Sequence, residues 1–141
     1  MKILVYFFLF LMGNCVAQPI VGKKINTKSA AYDQYLQTDE FGYDYFLRNN
    51  VFIKQKDKEI FEYKNVALGK VSRIDLNNPL KIVLFYEDFN MVITLDNQLN
   101  ESNAINFSTF EKPILATAAG IASQNRLWLF NSLTQKIGFF N

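Results

Sequence analysis

Histidine is absent from this chain, and cysteine occurs once, at Cys15. Without histidine there is no Ser-His-Asp or Cys-His triad and no His-ligated zinc. One cysteine closes no disulfide within the chain, so stability has to come from packing. The six glycines are widely scattered, and no Gly-x-Gly-x-x-Gly or other phosphate-cradling loop occurs. Charge of one sign is also missing. Fifteen basic groups face 13 acidic ones, a net +2 that is too small and too dispersed to imply nucleic acid as a partner.

What is present is apolar and aromatic. Half of the 141 residues are hydrophobic and a fifth are charged, which excludes a disordered or fibrous chain. Fourteen Phe and seven Tyr favour strands over helices. The length allows one domain.

The N-terminus carries an address. Met1 and Lys2 precede an apolar run over residues 3–12, and Cys15-Val16-Ala17 follows with small residues at two of its three positions. This layout predicts a secretory signal peptide over residues 1–17, cleaved between Ala17 and Gln18. The run is half the roughly 20 apolar residues that a spanning helix needs, so no transmembrane span is expected after cleavage. Cys15 allows a second reading as a lipid-bearing cysteine, although Asn14 stands where Gly, Ala or Ser is usual. The expected location is periplasmic, outer-surface or extracellular. Residues 18–31 are mostly polar and read as a leader or linker, or as an extended first strand.

From residue 32 to 141, short apolar or alternating runs are cut by turn residues. Strands are predicted at 35–38, 43–47, 51–55, 59–63, 71–76, 80–86, 91–96, 104–107, 127–130 and 136–140. Residues 81–86 are nearly all apolar, the pattern of a strand buried on both faces. Residues 114–122 contain four alanines, but Pro113 and Gly120 bracket only six residues between them. That is strand length, and an inner strand of small residues is expected there.

Asn50, Asn90 and Asn125 each open an apolar run, spaced 40 and 35 residues apart. The spacing approaches the period of about 40–45 residues of a four-stranded propeller blade. The expected fold is therefore all-β, built of antiparallel meanders of propeller-blade type. Two to three blades form an incomplete ring, since a closed propeller takes about four to eight. Open sheet edges then suggest truncation or pairing with another copy of the chain.

The end of the leader at Ala17-Gln18, the run from Asn78 to Tyr86 and the segment Leu127-Trp128-Leu129-Phe130 resemble uncharacterised secreted propeller-like proteins of the Bacteroidota. The resemblance covers residues 43–141, and members of that group are usually longer. It implies a propeller-type fold and export, and no particular activity.

Candidate chemistry is sparse. Asp39-Glu40 and Glu87-Asp88 are paired carboxylates beside turn residues, and adjacency does not make them converge on one bond. Residues 96–101 are rich in oxygen ligands but lack the central glycine and spacing of a calcium loop. Ser72, Ser102, Ser108, Ser123 and Ser132 have no nucleophile-elbow context. Lys54, Lys56 and Lys58 alternate, which suits either an anion-binding face or a solvated edge strand, the latter being the plainer reading. Trp128 and the other aromatics suit either sugar stacking or the core.

No catalytic, cofactor-binding or metal-ligating residue is assigned. The sequence points to a non-enzymatic binding or scaffold module for a protein or an envelope glycan. The alternatives are a cell-envelope enzyme acting on glycans through Asp or Glu, and a truncated relative without its own function.

Overall fold

In the computed structural model, residues 20–25, 27 and 31–140 are described. The expected signal peptide (residues 1–17), Cys15 and residues 18, 19, 26 and 28–30 of the 18–31 leader lie outside them. The chain divides into two units, Met1–Ala30 and Ala31–Asn141. In the first unit, the described residues 20–25 and 27 are exposed and form no strand.

The second unit grows from its turns. Asn49 and Asn50 both have positive φ, 50° and 61°, the conformation of a two-residue hairpin turn whose twist matches the flanking strands. It joins β2 (Asp44–Arg48) to β3 (Val51–Lys56) and sets the pairs Tyr45–Lys54 and Phe46–Ile53. Asp57, at φ 52°, turns β3 into β4 (Glu59–Tyr63), opposing Lys54 to Phe61. With β1 (Gln34–Thr38) these strands form a sheet in the order β1-β2-β3-β4.

The same plan follows twice. The second sheet runs β5 (Arg73–Asp75), β6 (Ile82–Tyr86), β7 (Met91–Leu95) and β8 (Glu101–Asn106). The third is three-stranded, with β10 (Leu127–Asn131) between β9 (Ala116–Ile121) and β11 (Lys136–Phe140). Every pairing is antiparallel between consecutive strands, and the described residues contain no α-helix. The fold is all-β, three meanders of propeller-blade type without closure into a ring.

Alternation along the strands explains the stacking. Successive side chains point to opposite faces, and every residue of β6 is buried. Ile82, Leu84 and Tyr86 join Tyr45, Phe52 and Tyr63 in a core between the first two sheets. Val83 and Phe85 join Ala116, Ala119, Leu127 and Leu129 in a second core, against the third sheet. The small residues of β9 let this sheet approach closely: a Cβ on Gly120 would lie 2.5 Å from Asp75 Oδ2. On the opposite face of the third sheet Ile137 and Phe139 are exposed.

Polar bonds tie one sheet to the next. Gln37 Nε2 donates to the Leu76 carbonyl at 3.2 Å, and Ile121 N donates to Asp75 Oδ2 at 2.9 Å. Asn50 and Asn90 act alike, each in the left-handed region just before the third strand of its sheet. The Asn50 amide donates to the Gly69 carbonyl and the Asn90 amide to the Ile114 carbonyl, both at 2.6 Å. Each thus holds the connector leading to the following sheet.

Two expectations need correction. Asn125 ends a 3₁₀ turn (Ser123–Asn125) before β10, the second strand of its sheet, so it is not the counterpart of Asn50 and Asn90. Gln135, at φ 54°, takes that place before β11. The lysine series is not a solvated edge either, because β3 is an inner strand and Lys54 is buried.

Candidate functional site

Lys54 sits opposite Tyr45 and Phe61 on neighbouring strands, on the face of the first sheet that meets the second. Only 4% of it is exposed, yet it lines a cavity of about 540 Å³. Phe41, Tyr43, Lys56, Glu59 and Phe61 form the wall from the first sheet. Pro79 and Leu80 from the β5–β6 loop face them, with Asn97 and Gln98 from the β7–β8 loop.

Each cation is held in the same manner. Lys54 Nζ lies 4.3 Å from the Tyr43 ring centroid and donates to the Asn97 carbonyl at 2.7 Å. Lys56 Nζ lies 5.4 Å from the same ring and donates to the Phe41 carbonyl at 2.8 Å. The Tyr43 ring is thereby shared by two ammoniums, an attraction of cation to ring quadrupole. Among the described residues, neither cation has a carboxylate within ion-pair distance. Burial holds the Lys54 ammonium below the ordinary lysine range, against the pull of Asp39, Asp96 and Glu59 farther off.

The tyrosines are fixed through their hydroxyls. Tyr43 donates to Glu59 Oε2 at 2.5 Å, and Tyr45 donates to Asp39 Oδ2 at 2.9 Å. Asp39 Oδ1 also accepts from the Phe41 and Tyr43 amides, folding the β1–β2 turn. The Tyr43 hydroxyl is raised above its usual range chiefly by the bond to Glu59. That of Tyr45 is raised further, first by burial and then by Asp39.

The β7–β8 loop is anchored from within. Asp96 Oδ1 accepts from the Gln98 and Asn100 amides at 2.8 and 2.9 Å, and Asn100 Nδ2 donates to Asp96 Oδ2. Those bonds from Asn100 hold the Asp96 carboxyl below its usual range. Leu99 stands at φ 63°, an uncommon conformation for a branched residue, and its side chain is buried in the first core. This anchoring presents the Asn97 carbonyl to Lys54.

The other candidates are dispersed. Glu40 is exposed on the β1–β2 turn, and Glu87 and Asp88 lie on an exposed 3₁₀ turn at the opposite end of the second sheet. Residues 96–101 form the hydrogen-bonded loop just described, and Glu101 accepts from the Tyr63 hydroxyl at 2.6 Å. Among the described residues no group of three potential metal-ligating side chains occurs. Ser72, Ser102, Ser108 and Ser132 use their hydroxyls in bonds to the loops and strands beside them. Ser123 opens the 3₁₀ turn before β10. Lys58 is exposed on the β3–β4 turn, away from the cavity lining. Trp128 packs beside Gly120 in the third sheet, far along the chain from the aromatic set of the cavity.

The grouping of Tyr43, Lys54, Lys56, Glu59 and Phe61 was missed from sequence, though a signal existed. Two-residue turns at Asn49-Asn50 and Asp57-Lys58 place Tyr45, Lys54 and Phe61 in one cross-strand row, with Lys56 opposite Glu59.

No protein-family model matches this chain, and no curated protein matches it. Among solved structures, a virginiamycin B lyase from Staphylococcus aureus is similar at 14% identity, with a TM-score of 0.45. The match covers 76% of this chain and 40% of that one.

Proposed function

We propose that the chain is an exported, non-enzymatic binding module of β-propeller type, whose ligand is a glycan seated in the cavity beside Lys54. The observation that carries this reading is the sharing of one Tyr43 ring by Lys54 and Lys56, in a groove rimmed by exposed apolar side chains. Phe41 is 51% exposed and Leu80 63%, surfaces on which the flat apolar faces of a sugar can stack. Asn97, Gln98 and Glu59 add polar groups for hydroxyls. The cavity falls within the range of about 300–1,000 Å³ typical of small-ligand sites. Export rests on the basic start, apolar run and small-residue end of residues 1–17.

Glycan cleavage by paired carboxyl groups needs two of them flanking one bond. Glu59 is the single carboxylate of this lining, and its oxygen accepts from Tyr43. Asp39 is taken up by the Tyr45 hydroxyl and two turn amides. That disposition favours binding over hydrolysis.

The test is retention of the full chain, produced in an exporting host, on gels containing soluble neutral or acidic polysaccharides. Release of reducing ends is followed in the same samples. Retention without release is expected. Release that Glu59→Gln abolishes would make the protein an enzyme, and migration unaffected by every polysaccharide would contradict a glycan-binding role.

A further inference from the structure

The groove gathers two ammoniums about one ring, with Glu59 the single carboxylate of its lining. We propose that its ligand is a carboxylated saccharide, whose carboxylate sits between Lys54 and Lys56 while its rings lie along Phe41 and Phe61. This rests on the reading of the groove as a glycan site and names the chemistry that distinguishes its ligand.

Three observations converge on it. Both ammoniums lie over one ring, at 4.3 and 5.4 Å from its centroid, and neither has a carboxylate within ion-pair distance among the described residues. A buried charge is retained at a cost unless something pairs with it, and Lys54 is 4% exposed. Each lysine gives one N–H to a loop carbonyl, leaving two more donors on each ammonium for an incoming oxyanion.

The fold itself does not call for a cation here. Lys54 is the fourth residue after the left-handed Asn50, and the fourth after Asn90 is Thr94. Thr94 occupies the same place in the second sheet, equally buried, and its hydroxyl pairs with Ser102 Oγ at 2.9 Å. A neutral pair therefore suffices at this position in the second sheet, beside a smaller cavity of about 310 Å³ that Thr94 also lines. The first sheet instead has a lysine in the lining of its larger groove.

The rest of the lining selects the body of the ligand. Phe41, Phe61 and Leu80 offer apolar faces, whereas a free inorganic anion would leave them bare. Glu59, held by the Tyr43 hydroxyl, keeps acceptor capacity for sugar hydroxyls.

The experiment is calorimetric titration of the full chain with tetragalacturonate and with the neutral galactose tetramer, repeated on Lys54→Met and Lys56→Gln. The acidic tetramer is expected to bind about tenfold or more tightly than the neutral one, with Lys54→Met removing most of that preference. Lys56→Gln, at an exposed position, decides the matter if Lys54→Met fails to fold, and should weaken acidic binding several-fold. Equal binding of both tetramers overturns the carboxylate inference and leaves the glycan-binding reading standing. Absence of binding by either tetramer, in a chain whose circular dichroism shows it folded, overturns both.

Discussion

Lys54 Nζ lies 4.3 Å from the centre of the Tyr43 ring and 2.7 Å from the Asn97 carbonyl oxygen, so one ammonium links the first sheet to a loop of the second. Its surroundings make titration the direct probe of this link. Burial lowers the affinity of Lys54 for its proton relative to the ordinary value of 10.5. The unfolded chain therefore binds more protons just below that value, and stability attributable to this lysine rises with pH through the window. NMR titration of the Lys54 Cε signal should give a midpoint below 10.5. A Lys54 midpoint at or above 10.5 would contradict the burial.

The tyrosines respond in the opposite sense. Tyr45 and Tyr63 are raised above the ordinary 10.0, each first by burial and then by a bond to a carboxylate, Asp39 and Glu101 respectively. Their contribution is complete below pH 10. It is lost as pH rises further, because the unfolded chain ionises first. Stability should fall by about 1.4 kcal/mol per pH unit for each such tyrosine. Denaturant unfolding followed by circular dichroism between pH 9 and 11.5 checks this. Tyr63→Phe should flatten the slope by one such increment, and an unchanged slope would contradict the assignment.

Asn90 and Asn50 make the same connector bond in different surroundings, and their substitutions should separate accordingly. Asn90 is buried, its amide also donates to Ser108 Oγ, and its carbonyl accepts from Ala116 N. Asn90→Ala is expected to cost about 3 kcal/mol or more, by leaving those partners unpaired and placing alanine at positive φ. Asn50→Ala should cost about 1–2 kcal/mol, and Asn50→Gly less, since glycine adopts this turn freely. Urea unfolding provides the comparison. Equal losses at Asn50 and Asn90 would contradict the role of Asn90 between the second and third sheets.

Gly120 tests the close approach of the third sheet. A Cβ there would stand 2.5 Å from Asp75 Oδ2 and 2.7 Å from Trp128 Nε1. Asp75 is not free to retreat without losing its bond from Ile121 N. Gly120→Ala should destabilise by about 1–3 kcal/mol and change the emission of Trp128, the chain's single tryptophan. Unaltered stability and emission would contradict the packing.

Much of this architecture was readable because short turns leave little freedom in register. The Asn49-Asn50 turn dictates that Tyr45 opposes Lys54, and the apolar run ending at Tyr86 is β6, buried on both faces. The small-residue segment is the strand β9, as its length suggested. Alternation along one strand does not reveal its neighbours, however, and so the lysines of β3 resembled a wet edge while they lay against Tyr43. The third asparagine misled for a related reason. In the third sheet a 3₁₀ turn contains Asn125, and Gln135 occupies the left-handed position before β11. The groove itself joins residues from β4 and the β7–β8 loop that only the stacking of two sheets brings together.

The most direct test of the groove as the binding site is the map of backbone amide shifts when tetragalacturonate is titrated into the full chain. The account predicts that the largest changes fall at Phe41, Tyr43, Leu80 and Gln98, with residues of the third sheet unmoved. Saturable binding whose shifts cluster on the third sheet, leaving those four amides in place, would contradict it.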